Sequence, residues 1–593
     1  MRPRYLLLAS LGGDLATNAQ RIAHATGLRV ARCMPPVAVL VNEACGCIEI
    51  DADGVVIGTL FYRHGAPRAI TMLSSAERNA MAQGWAGTLL KAYWGGYLSV
   101  RVRGDAVEIL RDPSAALPCY RAQDGDTALF ASDVDLLSAA GGRIDGIAWD
   151  ALGRILYSCG LPTAETALDG VATLRPGESI TLERQSERTI TGWSPWDFVE
   201  PRAGEETAAA TERLRRVIQQ CVAAWSSLYE RPLVSVSGGL DSSIVAACLA
   251  HAGRNASCLT MYTDDPAGDE RGFAKILCDA LDLPLTESRY ALDAVDLARP
   301  LGAHLPRPAG RAEAQPYEAA HRALAAHFHA DAFFSGNGGD NVFGYSQSAA
   351  ALADRALYEG PGAGAFATLR DICRQTGAGP LRVTRAAVRI ARQPACYRWR
   401  PSLGFLHPEL IASMRGMALS HPWLEAPRWA LPGKAAHIAG LVRAHLNLES
   451  DRSRIAPLIN PLLSQPVIET CLSIPSWQWR EGGRDRAAAR AAFAGSLPQA
   501  IVERKVKGTP DPFCGEIVRR KRHELRERLL DGQLVAHRIL DPAAIEEAFR
   551  PGRLTTGEEN VRLLELVNVE AWLTAWTSRS RGAEPATGPG GDD

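Results

Sequence analysis

One short segment constrains the fold more than any other: Ser237-Gly238-Gly239-Leu240-Asp241-Ser242-Ser243, set between an apolar run at 232–236 (PLVSV) and a stretch of helical spacing at 242–252. A short apolar run closed by glycines predicts a buried strand, and the periodicity behind it predicts a helix. The two glycines let the backbone turn tightly and approach a ligand with no Cβ in the way. Serine hydroxyls and the free amides of a helix start are suited to phosphate oxygens. The segment has no Gly-Lys-Ser/Thr, so it is not a Walker loop and brings no lysine to a terminal phosphate. Asp241 would repel phosphate unless it held a magnesium ion bridging to it. Phosphate, Mg²⁺ and a carboxylate together suit a reaction that releases pyrophosphate.

A second loop repeats the pattern. Residues 334–345 (FSGNGGDNVFGY) leave the apolar run at 332–335 and again place an aspartate, Asp340, among glycines. Around both loops strand-like and helix-like stretches alternate: helix at 205–225, strand at 258–263, helix at 269–281, helix at 316–329. That alternation predicts a parallel sheet covered by helices on both faces. Ligands of such sheets sit at the carboxyl ends of adjacent strands, so Asp241 and Asp340 are expected around one Mg-pyrophosphate.

The first ~195 residues read differently. Runs at 54–63 (GVVIGTLFYR), 97–102 (YLSVRV) and 107–110 (VEIL) are short, apolar or alternating, and β-like. A Pro-Gly turn between two strand-like runs at 169–183 predicts a hairpin. The character changes after 193–196 (WSPW). From 349 to 576 the pattern is mainly helical, broken by prolines, and 579–593 is a Gly/Pro-rich tail expected to be disordered. The expected division is 1–200, 205–578 and the tail 579–593.

Bulk properties exclude several classes. With 593 residues the chain exceeds a single core, and 65 basic against 66 acidic residues give no reason to expect nucleic acid or an anionic membrane as partner. The 13 cysteines are scattered singly apart from Cys45 and Cys47, and none form a pair with a two-residue gap, which argues against zinc-ribbon and thioredoxin readings. Residues 1–10 (MRPRYLLLAS) imitate a signal peptide, but the apolar run is short and Gly12-Gly13-Asp14 follows, so a first β-strand is expected. No stretch is long enough to span a bilayer, and a cytoplasmic protein is expected.

The two loops resemble the ATP site of the asparagine synthetase family, whose motifs are SGGLDSS and SGEGADEIFGGY. Residues 259–263 (LTMYT) are similar to the strand whose backbone reads adenine in that family. Asp269-Glu270 with Phe273-Ala274 resembles its Asp-Glu helix start. Residues 489–498 (ARAAFAGSLP), followed by Ile501, Arg504 and Lys507, look like a further family stretch. In the first half, 93–97 (YWGGY) and Arg111-Asp112-Pro113 with Tyr120 are similar to the family's glutaminase half. The resemblance implies an α/β protein: an N-terminal glutaminase-like (Ntn-hydrolase-type) αββα sandwich plus a PP-loop ATP pyrophosphatase parallel-sheet domain with a helical extension.

Departures from the family pattern narrow the expectation. A glutaminase of this type needs a cysteine after the initiator methionine, where this sequence has Arg2 and Pro3, so ammonia release from glutamine is expected to be absent. Pro457 and Ile459 stand where the family's aspartate-recognition run carries glutamate and arginine. Asn337 stands where a β-lactam-forming branch carries tyrosine. The branch that remains similar is that of the lasso-peptide macrolactam synthetases, through 462–466 (LLSQP), 474–477 (IPSW) and 482–486 (GGRDR). It implies adenylation of an Asp or Glu side chain of a precursor peptide, ring closure by the peptide's N-terminal amine, and a leader-peptidase partner. The alternatives are an ammonia-dependent asparagine synthetase or a β-lactam-synthetase-like small-molecule ligase.

Carried onto this sequence, the resemblance and the two loops give Ser235, Ser237, Gly238, Gly239, Leu240, Asp241, Ser242, Ser243, Thr260, Met261, Glu270, Gly336, Asn337, Gly338 and Lys507 as the ATP site. Asp241 and Asp340 are the Mg²⁺ ligands. Lys507 is the expected cation at the adenylate, with Lys505 as alternative because the spacing from Arg504 fits either. The arginines between 382 and 400 (Arg382, Arg385, Arg389, Arg392, Arg398, Arg400) read as a solvated helix face or as a dock for an acidic peptide.

Overall fold

The computed structural model describes residues 2–10, 15–184, 186–202, 205–505, 508 and 511–582. The β-like first part folds as two six-stranded antiparallel sheets stacked face to face. One contains Tyr5–Ser10, Val37–Val41 and Thr127–Ala131; the other contains Gly54–Tyr62, Tyr93–Arg103 and Ala106–Arg111. Alternation along each strand sends one set of side chains into the space between the sheets and the other set outward. Tyr5, Leu7, Val39, Val55, Val100, Ile109 and Phe130 fill the interior. The helix Leu15–Thr26 covers the outer face of the first sheet, and Ser75–Ala92 covers that of the second. The result is the αββα sandwich, with Tyr5–Ser10 as its first strand.

The hairpin expected at 169–183 does not form. Ala172–Thr173 pairs with Tyr120–Asp124 in one sheet, whereas Glu178–Leu182 pairs with Ala106–Arg111 and Glu187–Thr191 in the other. Gly177 makes the turn at φ +73°, and Leu174 lies buried between the sheets. The Pro-Gly turn therefore carries the chain from one layer to the next, which local turn chemistry cannot distinguish from a hairpin.

The second part is built on a five-stranded parallel sheet in the order Leu285–Arg289, Ser257–Tyr262, Pro232–Ser235, Ala332–Phe334, Leu458–Ile459. The order reverses between Pro232–Ser235 and Ala332–Phe334, so the loops leaving these neighbours diverge and open a crevice at their carboxyl ends. Those are the two glycine-rich loops. Helices Ala350–Tyr358, Ala363–Thr376 and Pro380–Ala391 form a separate cluster around Leu352, Ile372 and Trp477. In Pro380–Ala391 only Val383 and Ala387 are buried, and Arg382, Arg385 and Arg389 are exposed, as are Arg392, Arg398 and Arg400 beyond it. The long helix Gly557–Gly582 runs past position 579, where the tail was expected to begin; 583–593 lie outside the described residues.

The two halves share an aromatic junction. Phe61 and Trp94 of the sandwich, 4.6 Å apart, meet Trp225 of the helix Thr207–Ser226 edge-on, with ring centroids 5.1 and 6.0 Å away. Beside them the buried Glu469 accepts hydrogen bonds from Arg63 of the sandwich, from Trp193 Nε1 at 2.9 Å and from Gln465 Nε2 at 2.8 Å. A buried carboxylate is costly unless paired in this way. Among the described residues no helix is long and apolar enough to cross a membrane.

Candidate active site

The strand Pro232–Ser235 ends in a loop that only glycine can make. Gly238 sits at φ +60°, and a Cβ there would run into Phe273 of the neighbouring helix Arg271–Leu281. Ser242 Oγ accepts from Ser237 N and donates to Gly239 O, both at 3.3 Å, so the loop is tied to the helix it feeds. No side chain caps the helix Leu240–His251 at Gly239. Its first turn lines the crevice, where helix-start amides favour an anion.

The second loop packs onto the first with backbone against backbone. A Cβ on Gly336 would lie 2.5 Å from Ser242 N and 2.7 Å from Asp241 C, and one on Gly339 would overlap the Asp241 side chain. Gly338, at φ +83°, lies against Leu463. The glycines thereby set Asp241 beside Asp340. Between the carboxylates stands a residue that sequence reasoning did not place in the site. Arg486 Nη1 is 3.1 Å from both Asp241 oxygens and 2.6 Å from Asp340 Oδ1. Burial opposes the Arg486 cation, but Asp241, Asp340 and Asp485 outweigh it and hold its pKa above the ordinary value. Asp485 also binds Arg490, at 2.6 Å, and Arg490 donates to Val502 O at 2.7 Å.

A cavity of about 540 Å³ opens between the loops. Of the residues expected at an ATP site, Ser235, Ser237, Gly239, Leu240, Asp241, Ser242, Thr260, Met261, Glu270, Gly336 and Asn337 line it. Gly238, Gly338 and Ser243 lie behind the lining. The first two shape the loops, and Ser243 is fully buried on the inward side of its helix. Asp340 reaches the cavity through Arg486. Lys507 lies outside the described residues. Lys505 is on the cavity wall and exposed.

Glu270 accepts from Arg504 Nη2 at 2.6 Å and from Gly508 N at 3.1 Å, while Arg504 Nη1 donates to Ser237 O at 2.7 Å. Glu270 thus holds Gly508 and, through Arg504, the first loop. Thr260 Oγ1 is buried on the wall with no hydrogen-bond partner among the described residues, a cost that a bound polar ligand removes.

Elsewhere the wall is acidic and belongs to segments that the sequence did not flag: Glu318, Glu449 and Asp451. Arg452 pairs with Glu318, and its guanidinium lies 5.0 Å from the Tyr317 ring centroid. Tyr317 and Ser235 hydroxyls are 2.6 Å apart, and Ser235 Oγ is 2.6 Å from His321 Nε2. His321 Nδ1 faces Tyr317 O at 2.8 Å and must donate to it, so Nε2 accepts from Ser235. Burial, then the Arg452 charge, push the His321 pKa down to about 3, so it is neutral.

The asparagine synthase family model matches residues 213–574, more than half of the sequence. The chain belongs to the asparagine synthase family. It is an ATP-dependent, amide-forming ligase. Among solved structures, a glutamine phosphoribosylpyrophosphate amidotransferase from B. subtilis complexed with ADP and GMP is similar at 9% identity and TM-score 0.21, covering 50% of the ligase and 83% of that chain. An allosteric regulatory enzyme of purine biosynthesis is similar at 8% and 0.19, covering 49% and 80%. Likeness of that order carries no argument about chemistry. A comparison with curated proteins finds no match.

Magnesium fits the two aspartates. Both reach the same guanidinium nitrogen, so one cation can touch both. Among the described residues no group of three or more His, Cys, Asp or Glu forms a closed cage. One or two carboxylates completed by phosphate oxygens is the usual way Mg²⁺ is held.

Proposed function

We propose that the ligase closes a linear precursor peptide on itself, activating an internal Asp or Glu side chain with ATP and joining it to the peptide's N-terminal amine as a macrolactam. The observation that carries this is the charge of the cavity. Its basic wall, Arg486, Arg490, Arg504 and Lys505, suits ATP and pairs with Asp241 and Glu270, whereas away from that wall Glu318 and Arg452 neutralise each other, which leaves the acids Glu449 and Asp451. Free aspartate would need cations for its own carboxylates. A peptide amine needs carboxylates.

The run that recognises aspartate in the family supports the same choice. Pro457 and Ile459 place no charge there, and their backbone is used by the sheet, Pro457 O accepting from Phe333 N at 2.9 Å and Ile459 O from Ser335 N at 3.1 Å.

The peptide carboxylate attacks the α-phosphorus of ATP, and the bond to pyrophosphate breaks. The first-turn amides after Gly239, with Ser237 and Ser242, hold the departing pyrophosphate. Asp241 and Asp340 would hold Mg²⁺, which would supply charge neutralisation at the pyrophosphate. Lys505 and Lys507 are the two candidates for a cation at the adenylate. The N-terminal amine then displaces AMP. Both groups belong to one peptide, so orientation lowers the barrier by several kcal/mol, on the order of 7–11 at best. Water must stay out because the adenylate hydrolyses. The protein works in the cytoplasm beside a leader peptidase that frees the amine.

The test is incubation with MgATP and linear peptides carrying a free N-terminus and one internal Asp or Glu. A product one water lighter than its substrate, formed together with AMP and blocked by N-acetylation, is expected. Asparagine formed from aspartate and ammonium, with every peptide inert, would overturn the proposal.

A further inference from the structure

Amide formation needs a proton acceptor, because an amine arrives at neutral pH as ammonium. Asn337, in the second loop, has no basic group to offer, so the acceptor must come from elsewhere on the wall. Four of the lining carboxylates are already engaged. Asp241 holds Arg486, Glu270 holds Arg504 and the Gly508 amide, and Glu318 holds Arg452. Asp451 accepts from Gly302 N at 2.8 Å with His304 nearby. Glu449 differs. Its Oε2 accepts a hydrogen bond from the neutral hydroxyl of Tyr120, a residue of the sandwich strand Tyr120–Asp124.

Glu449 lies deep in the protein yet keeps surface open to the cavity, and it also lines the recess that leads to Arg111, Tyr120, Arg307 and His445. We propose that Glu449 is the catalytic base that takes the proton of the attacking amine, and that Tyr120, reaching across from the sandwich, is its positioning residue. The ammonium gives one proton to Glu449. Its lone pair forms the C–N bond as the C–O bond to the adenylate phosphate breaks, and the second proton leaves on the phosphate oxygen of AMP.

Burial raises the Glu449 pKa, opposed by the Tyr120 hydrogen bond and by the charges of Arg307, Arg111 and Arg2, which moves the carboxyl toward the working pH of a general base. The sandwich, with no assigned reaction of its own, thereby supplies part of the ligase site. The proposal rests on the adenylating, amide-forming reading of the site and holds for any amine.

The experiment separates the two half-reactions in the full chain. Glu449→Gln, Glu449→Asp and Tyr120→Phe are compared with wild type using the free-amine peptide pool and, separately, aspartate with ammonium. Adenylation is read by ATP–pyrophosphate exchange and transfer by amide product. Hydroxylamine, unprotonated at neutral pH, serves as a replacement nucleophile. Glu449→Gln should lose amide formation by about 100-fold or more, with exchange and hydroxamate yield held within about threefold and the loss shrinking as pH rises. Glu449→Asp should recover part of the rate. Tyr120→Phe should shift the acidic limb of the pH–rate profile upward, because the carboxylate loses a donor. Unchanged amide formation in Glu449→Gln, or equal loss with hydroxylamine, would overturn the base role while leaving adenylation intact. No exchange by the wild type with any probe would overturn adenylation itself, and this proposal with it.

Discussion

Gly336 passes so close to Ser242 that a Cβ on it would stand 2.5 Å from the Ser242 backbone nitrogen. Two loops about a hundred residues apart in sequence are thus one structural unit, and the absence of a single methyl group keeps the cavity open. Gly336→Ala should destabilise the protein by about 1–3 kcal/mol through overpacking and abolish stabilisation by MgATP. Thermal unfolding with and without nucleotide reads both.

Arg486 pairs with both aspartates at once. Arg486→Met removes the buried cation shared by Asp241 and Asp340, and removing one partner of a buried pair costs about 3 kcal/mol. The variant should unfold at lower temperature, and added Mg²⁺ should raise its Tm more than that of the wild type. Equal Mg²⁺ shifts in the two proteins would contradict the assignment of these carboxylates to the metal.

Glu469 ties the sandwich to the ligase domain through Arg63 and Trp193. Glu469→Ala should cost about 3–5 kcal/mol by stranding the Arg63 charge at the junction, and Glu469→Gln less. Denaturant unfolding would show the difference, with separate transitions for the two halves in the alanine variant.

Acid should unfold the protein early. Burial pushes His321, His421, His437 and His445 down to about 3, and His304 to about 4. Below about pH 6.5 the unfolded chain protonates all five and the folded chain does not, so stability is lost as pH falls. Burial acts in the opposite sense on several acids, raising Asp112 and Asp354 to about 6 and Glu570 to about 7, so the folded chain takes up protons there and gains stability. Glu318 and Glu449 are raised by burial as well, so the acids offset much of the histidine loss at higher pH. Net destabilisation comes between about pH 5 and 4, where the unfolded acids take up protons too while the buried histidines stay neutral. A Tm that stayed level or rose over that interval would contradict this balance.

The fold class could be read from sequence because its decisive pieces are local. An apolar run, two glycines and a helix start lie within a dozen residues around Gly238, and the strand–helix alternation extends from them. The turn at 169–183 gives no sign of its outcome, because a Pro-Gly turn looks the same whether its strands share a sheet or not. The strand Leu458–Ile459 is too short to show a period, and Leu285–Arg289, an edge strand, lacks the apolar face that marks a core strand. Arg486 lies 245 residues from Asp241, and Glu449 lies 329 from Tyr120. Long-range polar pairs of this kind arise from tertiary packing and leave no local pattern.

The most direct test of the central claim is ATP–pyrophosphate exchange by the purified chain and by its Asp241→Ala variant. Exchange in the wild type that is stimulated by free-amine peptides carrying an internal Asp or Glu, is weak with aspartate, and falls by at least about 100-fold in Asp241→Ala is the predicted result. Exchange stimulated by aspartate alone, or equal exchange in the variant, would contradict it.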